Sequence, residues 1–318
     1  MVEARIALPT AAGQARRAAG QHPRQQHRGQ SSCRSSHRPC AQDRLCARRA
    51  RLPRRSSTGK AVARPAARRP RRREGSMDPR ERVARVELAA AFRIAARLGM
   101  HEGICNHFSL ALTDDGREFL VNPHGRQFGE LRARDLLRVD AAGKVLAGEG
   151  EVEPSALFIH GGLHLARPEL RCILHTHMPY ATALTSIEGG RLEPIHQNAL
   201  RFVDQIAYDD DYGGLALDAG EGDRIAAALA DRRILFLANH GVVTVGPSVA
   251  AAFDDLYYLE RACRNQVLAM ATGRPLKRVP DDEARRTAAE FATYVGQAEL
   301  HFAAHRRVLD RDEPDYAD

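Results

Sequence analysis

No stretch of the 318-residue chain approaches the roughly 18 consecutive apolar residues of a membrane-spanning helix, so a membrane role finds no support. The first residues lack an apolar core flanked by a small-residue cleavage site, which argues against a secretory signal. None of the six cysteines forms a close-spaced pair of the zinc-finger kind. Cys33, Cys40 and Cys46 precede residue 77 and Cys105, Cys172 and Cys263 follow it, and all six read as reduced thiols of a cytoplasmic protein. Acids are nearly missing from residues 1–76, which hold Glu3, Asp43 and Glu74 against 20 of the 48 Lys and Arg. The remainder carries 28 bases and 37 acids, a net −9. The overall charge of +8 therefore belongs to the N-terminal segment, and the body is an ordinary acidic domain with no general attraction for nucleic acid.

Residues 1–76 also have almost no apolar periodicity, only Arg, Ala, Pro, Ser, Gln and His in runs such as Arg68-Arg-Pro-Arg-Arg-Arg73. Such a segment buries too little surface to offset its ordering entropy, and we expect it to be disordered. Three readings of it stand side by side: an arm for anionic surfaces, an Arg-rich targeting peptide, or a mis-called start upstream of Met77. Met77 follows Gly75-Ser76 and opens an ordinary helix, which suits the third.

After Met77 the chain alternates strands and helices without an internal repeat or a Gly/Ser-rich linker, so one α/β domain is expected over 77–280, with a helical tail at 281–318. Asp78 and Pro79 look like the cap and first turn of a helix that Gly99 ends. Leu110–Leu112 and Glu118–Asn122 read as a hairpin, and Pro123-His124-Gly125 as a turn. Asn106, Ser109, His124 and Gly125 offer small side chains and free backbone N–H groups, as an anion pocket requires. Ser155 is placed to cap a helix over 156–166, on which His160 and His164 lie four apart and adjacent. A single helix is expected from Asp281 to Val308.

The chemistry concentrates in Ile173-Leu-His-Thr-His-Met-Pro-Tyr180. An apolar strand ends in His175 and His177, two residues apart and hence on one side. His240 stands at the end of a second apolar run, Ile234–Leu237, and is followed by Gly241. Any one histidine is more often a core or turn residue than a ligand. Three imidazoles at strand ends, with a position left open, are the donor set of a catalytic zinc ion. Tyr208 and Tyr212, in the acidic stretch Tyr208-Asp-Asp-Asp-Tyr212, are candidates to add a phenol.

With Asn106-His-Phe-Ser109, Phe119-Leu-Val-Asn-Pro-His-Gly125, Ala166-Arg-Pro168, His175-Thr-His177 and Asn239-His-Gly241 in this order, the body resembles the class II aldolase/adducin head-domain family over about residues 83–272. The resemblance implies a three-layer α/β/α fold with a mainly antiparallel central sheet, homo-oligomers (often tetramers) with sites between subunits, and a small-molecule substrate. It implies that His175, His177 and His240 bind Zn2+, and that Asn106, His124, Gly125 and Ser155 form the family's phosphate or anion pocket. The family's aldolases use the ion to hold the enediolate formed when an aldol carbon–carbon bond is cut, with a glutamate as acid/base. Here the matching position, eleven residues before Arg167, is Ala156. Glu151 and Glu153 are close but precede Pro154, and the tyrosine expected after the HxH helix is replaced by Gln197.

The expectation is therefore a metal-dependent class II aldolase-like lyase on a small hydroxy or oxo substrate, phosphorylated or free, with proton transfer assigned to His160 and Tyr208. An all-imidazole site also suits Fe2+, so an oxygenase or decarboxylase on the same fold is the alternative. A third reading is a non-catalytic, adducin-like assembly domain.

Overall fold

The computed structural model describes residues 77–215 and 219–318. The arginine-rich segment 1–76, expected to be disordered, lies outside the described residues. At the centre is an eight-stranded sheet of β1 (His107–Ala111), β2 (Glu118–Val121), β3 (Leu137–Asp140), β4 (Val145–Ala147), β5 (Cys172–Thr176), β6 (Ile206–Asp209), β7 (Ile234–Leu237) and β8 (Gly241–Gly246). Its order is β4-β3-β2-β1-β5-β8-β7-β6, antiparallel throughout except where β6 runs parallel to β7. Helices cover both faces. On one lie α1 (Pro79–Arg97), α3 (Pro179–Thr185), α5 (Val249–Met270) and α7 (Gln297–Asp312), and on the other α2 (Pro154–Ala166) and α4 (Ala219–Leu229). The three-layer α/β/α architecture is the one the motifs imply, and no described helix is long and apolar enough to cross a membrane.

Side chains alternate across the sheet, and that alternation decides what meets at the site. Register pairs His107 with His175 and Ser109 with Ile173 between β1 and β5, so His107, Ser109 and His175 face α2 and α4. Phe108, Leu110, Cys172 and Leu174 point the other way, into the core under α1 and α5. Phe92 of α1 stacks on Phe108 at 4.8 Å and meets Phe128 edge-on at 4.6 Å. Each such buried ring contributes about 1.5–3 kcal/mol relative to exposure.

Local signals set the helix limits. Asp78 accepts the Arg80 amide at 2.8 Å and Pro79 fills the first turn, while Gly99 at φ +66 ends α1. At α2 the cap is Glu153, not Ser155 as expected: Pro154, its φ already helical, takes the first position, so the residue before it becomes the cap and its carboxylate accepts the Ala156 amide at 2.9 Å. The expected helix over 281–308 is two, α6 (Asp281–Ala292) and α7, parted at Gly296 with φ +79. Phe302, Leu309 and Tyr316 from this C-terminal part join the core under α1 and α5.

Candidate metal centre and its surroundings

His175 lies near the C-terminal end of β5, His177 just beyond it, and His240 in the turn between β7 and β8. That turn brings the His240 and His177 rings together. Asn239 takes a left-handed φ of +55, and a Cβ on Gly241 would stand 2.6 Å from the Thr176 carbonyl oxygen and 2.8 Å from Cδ2 of His177, so only glycine lets β8 approach the His177 ring. One ring nitrogen from each histidine lies within 4.8 Å of the others. Ring centroids are 4.8 Å apart for His175–His240 and His177–His240, and 5.1 Å for His175–His177.

The hydrogen bonds on two of the three rings fall on the outward nitrogens. His175 donates from Nδ1 to the Val242 carbonyl at 3.1 Å, so its Nε2 carries the lone pair. His177 Nδ1 meets the Glu102 carboxylate at 2.8 Å, and its Nε2 is buried with no partner. An imidazole whose far nitrogen is held by a carbonyl or a carboxylate is the usual support of a metal-bound histidine. Burial, then the neighbouring rings of His240, His107, His177 and His160, keeps the pKa of His175 well below its ordinary value. Burial and His177 lower that of His240 to about 4, against the opposing charge of Glu221. Both rings are neutral at pH 7, with lone pairs available. Orphaned Nε2, neutral rings and short separations together fit a divalent cation that favours imidazole.

Behind the triad runs a buried polar chain. The His107 ring lies 4.8 Å from His175, and its Nδ1 is 2.8 Å from Nε2 of His160. His160 Nδ1 is 2.5 Å from Ser109 Oγ, which is 2.7 Å from Nε2 of His164. On the side facing the site, His107 Nε2 stands 3.4 Å from Ser155 Oγ and 3.9 Å from Glu153 Oε2, and Ser155 donates to that carboxylate. Burial first of all holds His107 and His164 to about 3 and His160 well below its ordinary value, so all three are neutral. Burial opposes ionisation of Glu153, but the Ser155 hydroxyl and the Ala156 and Ser155 amides outweigh it and keep the carboxyl below its usual range.

The expected site residues do not all converge. Asn106 is buried near the triad, its Oδ1 accepting the Glu102 amide at 2.6 Å and its Nδ2 left without a partner. Ser155 stands at the start of α2 between Glu153 and His107. His124 and Gly125 occupy the turn after β2 at the same end of the sheet; His124 is exposed and its amide donates to the Glu151 carbonyl at 2.8 Å. His160 is one ring removed from the triad, behind His107. Tyr208 lies on the opposite face: it pairs with Phe236, its ring packs on Phe236 at 5.2 Å, and its hydroxyl accepts the Leu192 amide at 3.1 Å. Tyr212, not Tyr208, shares a cleft with His240, Glu221 and Arg224. The sequence reading gave no role to Glu102 or His107 and set Glu153 aside because it precedes Pro154. Pro154 was the available signal for Glu153, because a proline at the first helical position makes its predecessor the cap.

The family profile described as the class II aldolase and adducin N-terminal domain matches residues 86–267, a span that contains the triad, the polar chain and Glu153. The chain belongs to this family. An L-fuculose 1-phosphate aldolase from Glaciozyma antarctica shares the fold with a TM-score of 0.65 and 29% identity, over 74% of this chain and 92% of that one. The decarboxylase NovR of Streptomyces niveus is 32% identical over 72% of this chain and 84% of its own length. A 4-hydroxy-3-prenylphenylpyruvate oxygenase/4-hydroxy-3-prenylbenzoate synthase of Streptomyces roseochromogenus is also 32% identical, over 72% of this chain and 82% of its own. Within the class II aldolase family the same scaffold thus carries names of different reactions.

Proposed function

We propose that this class II aldolase family member is a metal-dependent carbon–carbon lyase acting on a small hydroxy or oxo substrate, with His175, His177 and His240 as the metal ligands. The observation that carries the reading is the convergence of three ring nitrogens within 4.8 Å, two of them backed by a hydrogen-bonded Nδ1. A divalent ion held there, Zn2+ or alternatively Fe2+, supplies the positive charge that polarises a substrate carbonyl and stabilises negative charge on its oxygen. The protein's own groups orient the substrate and handle its proton. Asn106 offers its unpaired, buried Nδ2 to a substrate oxygen. Glu153, held as an anion beside Ser155 and His107, takes the proton of the substrate hydroxyl as the carbon–carbon bond opens and returns one to the departing carbon fragment. The turn at His124 and Gly125, with Asn106, receives an anionic group of the substrate; Ser155, expected in the same pocket, spends its hydroxyl hydrogen on Glu153. Equal rates with phosphorylated and free substrates would remove phosphate from this reading.

An iron-dependent decarboxylase or oxygenase is a second reading, favoured by a ligand group made of imidazoles alone. Elemental analysis of the full-length protein beside His175→Ala separates the two. About one zinc per chain, lost in the variant, supports the lyase and directs the substrate screen to aldol cleavage. Iron after anaerobic purification turns the screen to decarboxylation and oxygen uptake. Absence of metal from both proteins sinks the enzyme reading and leaves the assembly domain. Homo-oligomerisation, part of the same proposal, is read from the mass in solution.

A further inference from the structure

The chain from Glu153 to His164 has a direction, and the direction settles what His107 can do. Each link joins two groups of which one donates, so choosing one proton places all the others. Start from Ser155, whose hydroxyl hydrogen is committed to the Glu153 carboxylate. Its oxygen is then an acceptor toward His107, 3.4 Å away, and His107 Nε2 carries the hydrogen. A neutral ring protonated at Nε2 accepts at Nδ1, so His160 donates to it from Nε2 across 2.8 Å. His160 Nδ1 must then accept, from the Ser109 hydroxyl at 2.5 Å, and Ser109 in turn accepts from Nε2 of His164 at 2.7 Å. The chain ends on His164 Nδ1, which is buried without a partner. In this direction that nitrogen is a bare lone pair. In the reverse direction it is a buried N–H with nothing to bond, the less tolerated of the two, and His107 Nε2 faces a hydroxyl whose hydrogen is already given away.

We propose that His164, Ser109 and His160 are positioning residues that fix His107 as the Nε2–H tautomer, so that it donates toward Ser155 and leaves the Ser155 hydrogen to Glu153. The inference rests on the reading of Glu153 above as the group that takes the substrate proton. The His107 ring is 4.8 Å from His175, but its nitrogens face His160 and Ser155, and among the described residues the ring nitrogens that converge are those of His175, His177 and His240. The hydrogen-bond chain thereby keeps the Ser155 hydroxyl on Glu153.

The test is two-bond 1H–15N correlation spectroscopy of the imidazoles in the metal-free, full-length protein. Single Gln substitutions at His107, His160 and His164 assign three of the 14 rings. Should a variant fail to fold, ring-to-backbone correlations in the wild type serve instead. All three rings are expected as Nε2–H tautomers; any one of them protonated at Nδ1 overturns the proposal. Ser109→Ala interrupts the chain, and both tautomers should then appear at His160 and His107; an unchanged single tautomer also overturns it. On adding one equivalent of Zn2+ the His107 Nε2–H signal should persist while His175, His177 and His240 shift. Loss of that signal refutes the proposal. Zinc that moves none of the three ligands refutes the metal reading alone, and the tautomer pattern still decides this one.

Discussion

Glu102→Gln isolates what a charge outside the three histidines contributes to the proposed metal centre. The substitution keeps the length and planarity of the side chain, and its amide oxygen can still accept from His177 Nδ1, now 2.8 Å from the carboxylate. What goes is the negative charge that holds the His177 N–H and orients its ring. Loss of such a partner costs about 10- to 100-fold in metal affinity, or about 1.4–2.7 kcal/mol. The environment selects the lower end, because the Glu102 side chain is 68% exposed while that of His177 is 15% exposed, and water screens a charge so placed. We therefore expect zinc affinity about 10-fold weaker, measured by competition with a chromophoric chelator, with melting of the metal-free protein unchanged. A dissociation constant within twofold of wild type refutes the outer-partner role. A loss as large as that of His177→Ala refutes the screening argument.

Metal-free stability should fall steeply on acidification. His240 has its folded pKa lowered to about 4 and His107 and His164 theirs to about 3, all from 6.5, so as pH falls below 6.5 these rings take up protons only when unfolded. Each costs about 1.4 kcal/mol per pH unit until its folded pKa is reached; urea unfolding in EDTA at pH 7.5 and pH 5 tests this, and equal midpoints would refute it. Gly241→Ala drives a methyl group against the Thr176 carbonyl and the His177 ring, and should cost about 1–3 kcal/mol by thermal melting and weaken zinc binding; unaltered zinc affinity would show that β8 does not fix the ring. Glu153→Gln retains an oxygen to cap α2 but cannot take a proton, so the rate should fall about 10²- to 10⁴-fold with little change in melting. Full activity in that variant assigns the proton transfer elsewhere.

What the sequence disclosed follows the range of each interaction. Strand ends at His175 and at Leu237, and the Gly after His240, are local signals, so the triad was legible from apolar runs and turn residues alone. So was the hairpin of β1 and β2, with its polar turn. Tyr208 was misplaced because its face depends on the pairing of β6 with β7, a parallel match that no spacing in the sequence announces. Glu102 and His107 were overlooked for a related reason. Their partners, His177 and His160, are 75 and 53 residues away, and only the closed sheet brings them together.

Ala156 stands where the family's sugar-phosphate aldolases carry their acid, and Glu153, at the start of the same helix, takes that role in the proposed reaction. A side chain at 156 would project from the helix body, whereas Glu153 precedes it and folds back over its first turn, where the unpaired amides favour an anion. Its bonds from the Ser155 hydroxyl and the Ala156 amide both fall on Oε2, which leaves Oε1 as the oxygen to meet a substrate proton. A carboxylate held this way is a weaker base than one held by burial alone, since the same bonds that fix it also stabilise its charge. It therefore suits a reaction in which the proton removed is already acidified, as that of a hydroxyl is when its oxygen lies beside a cation, and it suits poorly the direct abstraction of a proton from carbon.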